Sequence, residues 1–362
     1  MWTIEDLLAK VAASEGSDLI LTAGAPPHIK VLGILHPVGD RALTEKDTEA
    51  LCLAILDDEQ KDMLKRHRSV DLSRALGGTE RFRFNVFYQR GSLALAARLI
   101  PRRIPAFAEL GLPPIVKQFA LCPHGLVLVT GPAGSGKSTT LAAMIDYMNT
   151  ERSAHIVCLE DPIEYLHTNR KSLIEQREIH DDAPSFPAAM HGVFRQSPDV
   201  IMVGEMRDME TMQLALTLAE TGHLILATLH TQDTTHAINR IVDVFPPAQQ
   251  QQIYTQLSMV LAGVLTQALL ISADRTRRVL ACEVLNVTPA VRNLIRENQL
   301  QQIYSVIQTG REDHMVTMND SLFALCEKGQ LDFEVAMSRS PRPKELARML
   351  ERLARPVKGA RS

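Results

Sequence analysis

Eight residues constrain this chain more than any others: Gly131-Pro132-Ala133-Gly134-Ser135-Gly136-Lys137-Ser138 match the pattern G-x-x-x-x-G-K-[ST]. Glycines there let successive backbone N–H groups turn inward onto phosphate oxygens with no side chain in the way. Lys137 adds a point charge for the β- and γ-phosphates, the Ser138 hydroxyl can ligate Mg²⁺, and Thr139 carries the loop into the next element. An apolar run, Leu126 to Thr130, precedes the loop and a helical pattern, Ser138 to Met148, follows it. Bound phosphates would therefore meet a helix N-terminus, which favours anions.

Such a loop belongs at the edge of a parallel sheet, and the chain has the strands for one. Leu126 to Thr130, Ile156 to Leu159, Val200 to Val203 and Leu224 to Leu229 alternate with helical patterns, as strands covered by helices do. Open α/β sheets bind ligands beyond the C-terminal ends of their strands. Polar residues stand at those ends: Glu160-Asp161-Pro162-Ile163-Glu164, then Gly204-Glu205-Met206-Arg207-Asp208, then His230-Thr231. Phosphoryl transfer to water needs a group that orients the water, and Glu164 and Glu205 are the two best-placed carboxylates. A helix cap or surface ion pair is the plainer alternative for either. An ordinary Walker B strand ends in an Asp that holds Mg²⁺. Here Gly204 takes that position and the acid follows, so Ser138 and Glu205 are the expected metal ligands, directly or through water.

His223 and His230 bracket the last of these strands at odd spacing, which places them on opposite faces and argues against a shared metal. His230 is the candidate phosphate sensor, and His223 suits a structural or interface hydrogen bond. Arg177, Arg195 and Arg207 are further candidates for contact with phosphate.

The first hundred residues read as a separate small α/β unit. Ile4, Leu7, Leu8 and Val11 form a helical stripe, Ser17 to Thr22 and Pro27 to Leu32 look like strands, and Thr44 with Asp47 resembles a helix start. A hairpin follows, Val70 to Leu76 and Glu80 to Arg90 joined by Gly77-Gly78. In its second strand Phe82, Phe84 and Val86 alternate with Arg81, Arg83 and Asn85, so one face enters a core and the other presents two arginines. Pro101, Pro105, Pro113, Pro114 and Pro123 then mark an interdomain connection. The expected division is 1–100, a linker at 101–123, a phosphate-loop core at 124–286, a helical region at 287–340 and a mobile basic tail at 341–362.

From Val244 to Ala273 there is no charged side chain, long enough for a membrane span. Gln249 to Gln252, Gln256, Ser258, Thr266 and Gln267 interrupt it, while Leu257, Val260, Leu261, Val264, Leu265, Ala268 and Leu269 recur at helical spacing. The pattern predicts a core-packed amphipathic helix that does not enter a bilayer.

Length and charge agree with two domains and exclude some functions. The chain has 362 residues, 45% of them hydrophobic, and a formal net charge of −3. Near-neutrality and a single tryptophan argue against a basic, aromatic-lined groove for nucleic acid. Five scattered cysteines without a C-x-x-C pair argue against a disulfide framework or a structural zinc. The N-terminal residues lack the pattern of a secretory signal.

Taken together, these motifs resemble the PilT family of type IV pilus retraction ATPases, over nearly the whole chain. The resemblance rests on Ser17-Asp18-Leu19, Gly24-x-Pro-Pro27, Arg81-Phe82-Arg83, the phosphate loop, Glu160 to Glu164 as an Asp box and Gln176-Arg177-Glu178. It continues in Pro198 to Asp208 as an atypical Walker B, Ala219 to Thr231 as a His box, and Ala290-Val291-Arg292-Asn293-Leu294-Ile295-Arg296-Glu297. It implies an α/β fold with an N-terminal PAS-like domain, a C-terminal RecA-like P-loop ATPase domain and a helical C-terminal region, assembled as a homohexamer. It also implies ATP and Mg²⁺ as ligands, and Arg81 and Arg83 closing on phosphates held by Lys137, Glu205 and His230. The implied setting is cytoplasmic, docked at the inner membrane on a pilus platform protein, with a paralogous retraction ATPase as a further partner and no nucleic acid. His191 and Gln196 depart from the family pattern, and Phe87-Tyr88-Gln89-Arg90 look closer to the accessory PilU type. Pilus-assembly or secretion ATPases and RecA-like translocases are the remaining rivals.

Overall fold

The computed structural model describes residues 2–14, 16–31, 34–75, 80–100 and 103–354. The chain divides into two compact units, Met1–Arg103 with Glu164–Leu166, and Ile104–Ile163 with His167–Ser362. Both mix helices and strands.

In the first unit, strands β1 Asp18–Leu21, β2 His28–Val31, β3 Ile34–Pro37, β4 Ser69–Ala75, β5 Arg81–Gln89 and β6 Ser92–Ile100 form one sheet in the order β3-β2-β1-β6-β5-β4. Every neighbouring pair is antiparallel. The helices Ile4–Ala13, Glu45–Leu53 and Asp58–His67 each begin with a capping box, built by Thr3 and Asp6, Thr44 and Asp47, and Asp57 and Gln60. A reciprocal cap satisfies two otherwise orphaned N–H groups, which fixes where each helix starts. Ile4, Leu7, Leu8 and Val11 join Phe82, Phe84 and Val86 in a single core. Residues 76–79, where the Gly77-Gly78 turn is expected, lie outside the described residues.

The second unit holds β7 Gly125–Thr130, β8 His155–Glu160, β9 Leu173–Glu178, β10 Val200–Val203, β11 Leu224–Leu229, β12 Leu261–Ile271 and β13 Arg278–Asn286. Their order is β13-β12-β7-β11-β10-β8-β9. All pairs are parallel except β12 with β13. Every residue of β7, β10 and β11 is buried. Alternation still holds within them, because Leu126 and Leu128 enter one core while Val127 and Val129 enter the other. A sheet covered on both faces therefore reads as unbroken apolar runs.

Three expectations are corrected. The tail expected to be mobile from 341 holds the helix Pro343–Ala354, whose Leu346 and Leu350 are buried in a core with Leu322 and Ala336, while residues 355–362 lie outside the described residues. The single helix expected across Val244 to Ala273 is a helix only over Pro247–Val260, and the chain then becomes strand β12. Leu261, Val264 and Leu265 fit helical spacing because a strand buried on both faces is apolar at nearly every position, and such a run satisfies any period. Among the described residues no helix is long and apolar enough to cross a membrane. The proline-rich stretch is also more than a connection. Pro101 lies outside the described residues, but Phe107–Leu110 and Ile115–Ala120 are helices of the second unit, and Ile115, Val116 and Phe119 are part of its core. Phe119 packs so closely on β12 that a Cβ at Gly263 would stand 2.3 Å from its ring.

Candidate nucleotide site

The phosphate loop links β7 to the helix Lys137–Glu151. Gly131, Gly134 and Gly136 all have positive φ, at 142°, 74° and 91°. A Cβ on Gly131 would fall 2.4 Å from the Gln267 carbonyl oxygen and 2.5 Å from Ser135 Oγ, so both φ and space require glycine there. Strand β12 supports the loop on either side. Thr266 Oγ1 lies 2.8 Å from Thr130 Oγ1, and Gln267 Nε2 donates to Thr140 Oγ1 at 2.8 Å, all in buried surroundings. Ser135 Oγ is buried with no hydrogen-bond partner, a polar atom at the loop's centre suited to an incoming acceptor.

Lys137 is buried, and its Nζ donates to the carbonyls of Gly131 at 2.9 Å and Pro132 at 3.0 Å. His230 Nδ1 is 3.5 Å away. On the other side of the ring, His230 Nε2 lies 3.1 Å from Glu205 Oε1, which also receives Arg207 Nε at 2.6 Å. Loop lysine, strand-end histidine, strand-end glutamate and arginine thus form a connected row. Burial by itself would raise the Glu205 carboxyl, but the Arg207 hydrogen bond and the charges of His230 and Arg207 outweigh it and hold the group below its ordinary range. Arg207 is raised in return by the hydrogen bond and charge of Glu205. A carboxylate kept ionised in this way is a poor proton acceptor and a good fixed charge.

Space beside Gly204 is tight. Its N–H donates to the Leu159 carbonyl at 2.7 Å, and a Cβ would sit 3.1 Å from that oxygen and 3.4 Å from Glu160 Cα. A side chain at this position would need β8 to give by a few tenths of an ångström. Thr228 Oγ1 donates to the Gly204 carbonyl at 2.5 Å, binding the ends of β10 and β11 together. Asp208 caps the helix Met209–Glu220 by accepting from Thr211 N at 2.8 Å, so the 204–208 segment is a strand-to-helix turn that projects Glu205 and Arg207.

His223 sits at the opposite end of β11 from His230, with Nδ1 3.0 Å from the Leu218 carbonyl and 3.1 Å from Thr221 Oγ1. Arg177 donates to the Asp182 carbonyl at 3.0 Å, and His191 Nε2 is 3.4 Å from Glu210 Oε1 on the surface. Arg81, Arg83 and Glu164 belong to the first unit. There Arg81 Nε donates to Ser73 Oγ at 2.8 Å, and Arg83 lies 3.9 Å from Asp71, both across the β4–β5 pair.

Among the described residues no group of three or more His, Cys, Asp or Glu could hold a metal ion alone. Mg²⁺ on a nucleotide takes one or two protein groups and completes its shell with phosphate oxygens and water. The Ser138 hydroxyl on the first turn of the loop helix and the ionised Glu205 fit that demand. Sequence reasoning gave no role to the polar residues behind the site: Gln176 stands there only as part of the Gln176-Arg177-Glu178 motif, Gln267 only as a break in an apolar run and Asn149 not at all, because only tertiary packing gives them partners.

Residues 113–334 match the family described as type II/IV secretion system protein. The type IV pilus retraction ATPase PilT of Pseudomonas aeruginosa is 44% identical over 94% of this chain and 98% of its own length. The type IV pilus ATPase PilU of the same organism is 37% identical over 96% of this chain and 91% of its own. A crystal structure of the pilus retraction motor PilT with bound ADP superposes with a TM-score of 0.91 at 46% identity, covering 96% of this chain and 100% of that one. The higher identity to PilT favours it over the PilU type suggested by Phe87 to Arg90. The chain belongs to the type II/IV secretion system protein family and, within it, to the PilT family of type IV pilus retraction ATPases.

Proposed function

We propose that this chain is an ATP-hydrolysing motor that works as a homohexameric ring and drives retraction of type IV pili. The observation that carries the reading is the row Lys137, His230, Glu205 and Arg207 beside a glycine-shaped phosphate loop. The loop backbone from Gly131 to Thr139 binds the phosphates, and Lys137 exchanges its contacts with the Gly131 and Pro132 carbonyls for phosphate oxygens. Glu205 stays ionised and orients His230 and Arg207 towards the site. Mg²⁺, held by Ser138 and Glu205, would supply charge neutralisation on the phosphates. Glu164 orients the attacking water, and Arg81 and Arg83 supply guanidinium charge to the γ-phosphate, a contribution that can reach about 10³–10⁵ in rate.

In this reading the first unit is a PAS-like domain and the second a RecA-like one, and hydrolysis changes the angle between them. The ring is cytoplasmic, docked at the inner membrane on a platform protein, and a paralogous retraction ATPase can share the task. Lys137→Ala is expected to lower kcat for ATP by about 10²–10³-fold, the usual effect of removing one fixed donor to developing charge. In cells of the source organism it should give abundant surface pili and no twitching. Wild-type turnover by Lys137→Ala would overturn the catalytic assignment, and bald cells would indicate assembly in place of retraction.

A further inference from the structure

The loop that follows β8 runs from Asp161 to Leu166 and carries Glu164. Its near end is Glu160, a carboxylate only 8% exposed on the last residue of the strand. At its far end is His167, partly buried. One side chain joins the two ends. Gln176, on the neighbouring strand β9, donates from Nε2 to Glu160 Oε1 at 2.9 Å and accepts at Oε1 from the His167 N–H at 2.9 Å. An amide suits this place because it offers a donor at one end and an acceptor at the other, as a carboxyl oxygen and a backbone N–H require. Leu can do neither, and Glu can do both only while the pair of carboxyls holds a proton.

The turn just beyond is fixed separately. Asn149, fully buried in the last turn of the phosphate-loop helix, donates to the Thr168 carbonyl at 2.7 Å and accepts from Arg170 N and Ser172 N at 3.0 and 3.3 Å. The loop of Glu164 therefore has a structural anchor in Asn149 and a second anchor in Gln176 that also contacts a buried acid.

We propose that Gln176 is a positioning residue for nucleotide hydrolysis: its amide clamps the Glu160 carboxylate and the His167 backbone together, and so sets the placement of the Glu164 loop between them. The proposal rests on the reading of Glu164 as the residue that orients water. A residue acting in this way should alter turnover and leave nucleotide affinity alone, since misplacement by about 1 Å can cost up to about 10²-fold in rate.

The test is steady-state ATP hydrolysis by the full chain between pH 6 and 9, comparing wild type, Gln176→Glu and Gln176→Leu. Gln176→Glu sets two carboxylates against each other, so one is held protonated to a higher pH than usual. While that proton is present the clamp is intact, and when it leaves the clamp breaks. Gln176→Glu should therefore lose about 10- to 100-fold in kcat at pH 8 and recover towards pH 6, with KM for ATP within about twofold of wild type. Gln176→Leu should lose as much at every pH. Asn149→Ala provides the comparison for simple loosening, with a lower Tm and a pH profile of wild-type shape.

Wild-type kcat in both Gln176 variants would overturn the proposal, as would a Gln176→Glu profile parallel to that of wild type. If Gln176→Leu fails to fold, the Gln176→Glu profile decides alone. Glu164→Gln separates the two readings: full turnover there refutes the role of Glu164, whereas an acid-recoverable Gln176→Glu beside it still assigns Gln176 to hydrolysis through Glu160.

Discussion

The two sheets use their strands differently. In the first unit each strand runs against its neighbour, so strand ends of both kinds alternate along each edge and no edge collects a site. What such a sheet offers is a face. Phe82, Phe84 and Val86 are buried while Arg81, Arg83 and Asn85 point away, and β4 and β6 hold the strand on either side. In the second unit six neighbouring strands run in parallel, so their C-terminal ends meet at one edge. There the phosphate loop, Glu160, Glu205 and His230 come together although more than ninety residues separate Lys137 from His230. Parallel strands assemble residues that are distant in sequence, and an antiparallel hairpin displays residues that are close.

Substitutions at neighbouring residues can break this contrast. Phe84→Ala should destabilise the first unit by about 3–5 kcal/mol, the usual cost of a large cavity in a core. Arg83→Ala, one residue away on the other face, should stay within about 0.5 kcal/mol. Denaturant unfolding of both variants measures this, and equal losses would mean that the arginine face is packed and not displayed.

A smaller effect sharpens the account of the second unit. Thr266→Val leaves the Thr130 hydroxyl buried without its partner and should cost about 1–3 kcal/mol, whereas Thr130→Val with Thr266→Val removes both hydroxyls and should be nearly neutral. If the double variant is the worse of the two, the pair holds the loop by more than mutual satisfaction.

The smallest effect concerns Glu283, buried in β13 and accepting from Thr234 N and Oγ1 at 3.0 and 2.8 Å. Burial raises its carboxyl above the ordinary value, partly opposed by the hydrogen bonds from Thr234. Its contribution to stability is therefore fully present below the unfolded value and is lost as pH rises through the folded one. Glu283→Gln keeps an acceptor and cannot ionise, so its Tm relative to wild type should rise with pH, by about 2–4 °C for each kcal/mol involved. A constant difference between pH 4 and 8 would show that Glu283 has the same affinity for its proton folded and unfolded.

Much of this was legible in the chain itself. The strand runs from Leu126, Ile156, Val200 and Leu224 are visible because burial on both faces demands apolar residues throughout, and the β5 alternation because burial on one face demands every second one. The same logic hid β12, whose two-sided burial imitates a helix. Gly204 reads in the sequence as a missing acid, and only the fold brings the Leu159 carbonyl to 3.1 Å from where a Cβ would stand. Lys137 and Glu205 lie in motifs, and spacing could find them. Gln176 and Asn149 are ordinary amides whose importance depends on which strand lies beside which, and that is decided by folding as a whole.

Asn149 has a mechanical consequence. The helix whose last turn it occupies has 15 residues, a rod about 22 Å long, with the phosphate loop at one end and the 168–172 turn fastened to the other. Met144, Ile145 and Met148 pack that rod into the core, where dense packing leaves little slack. Loop and turn are thus fastened to the two ends of one stiff rod, which fixes the spacing between them within the second unit.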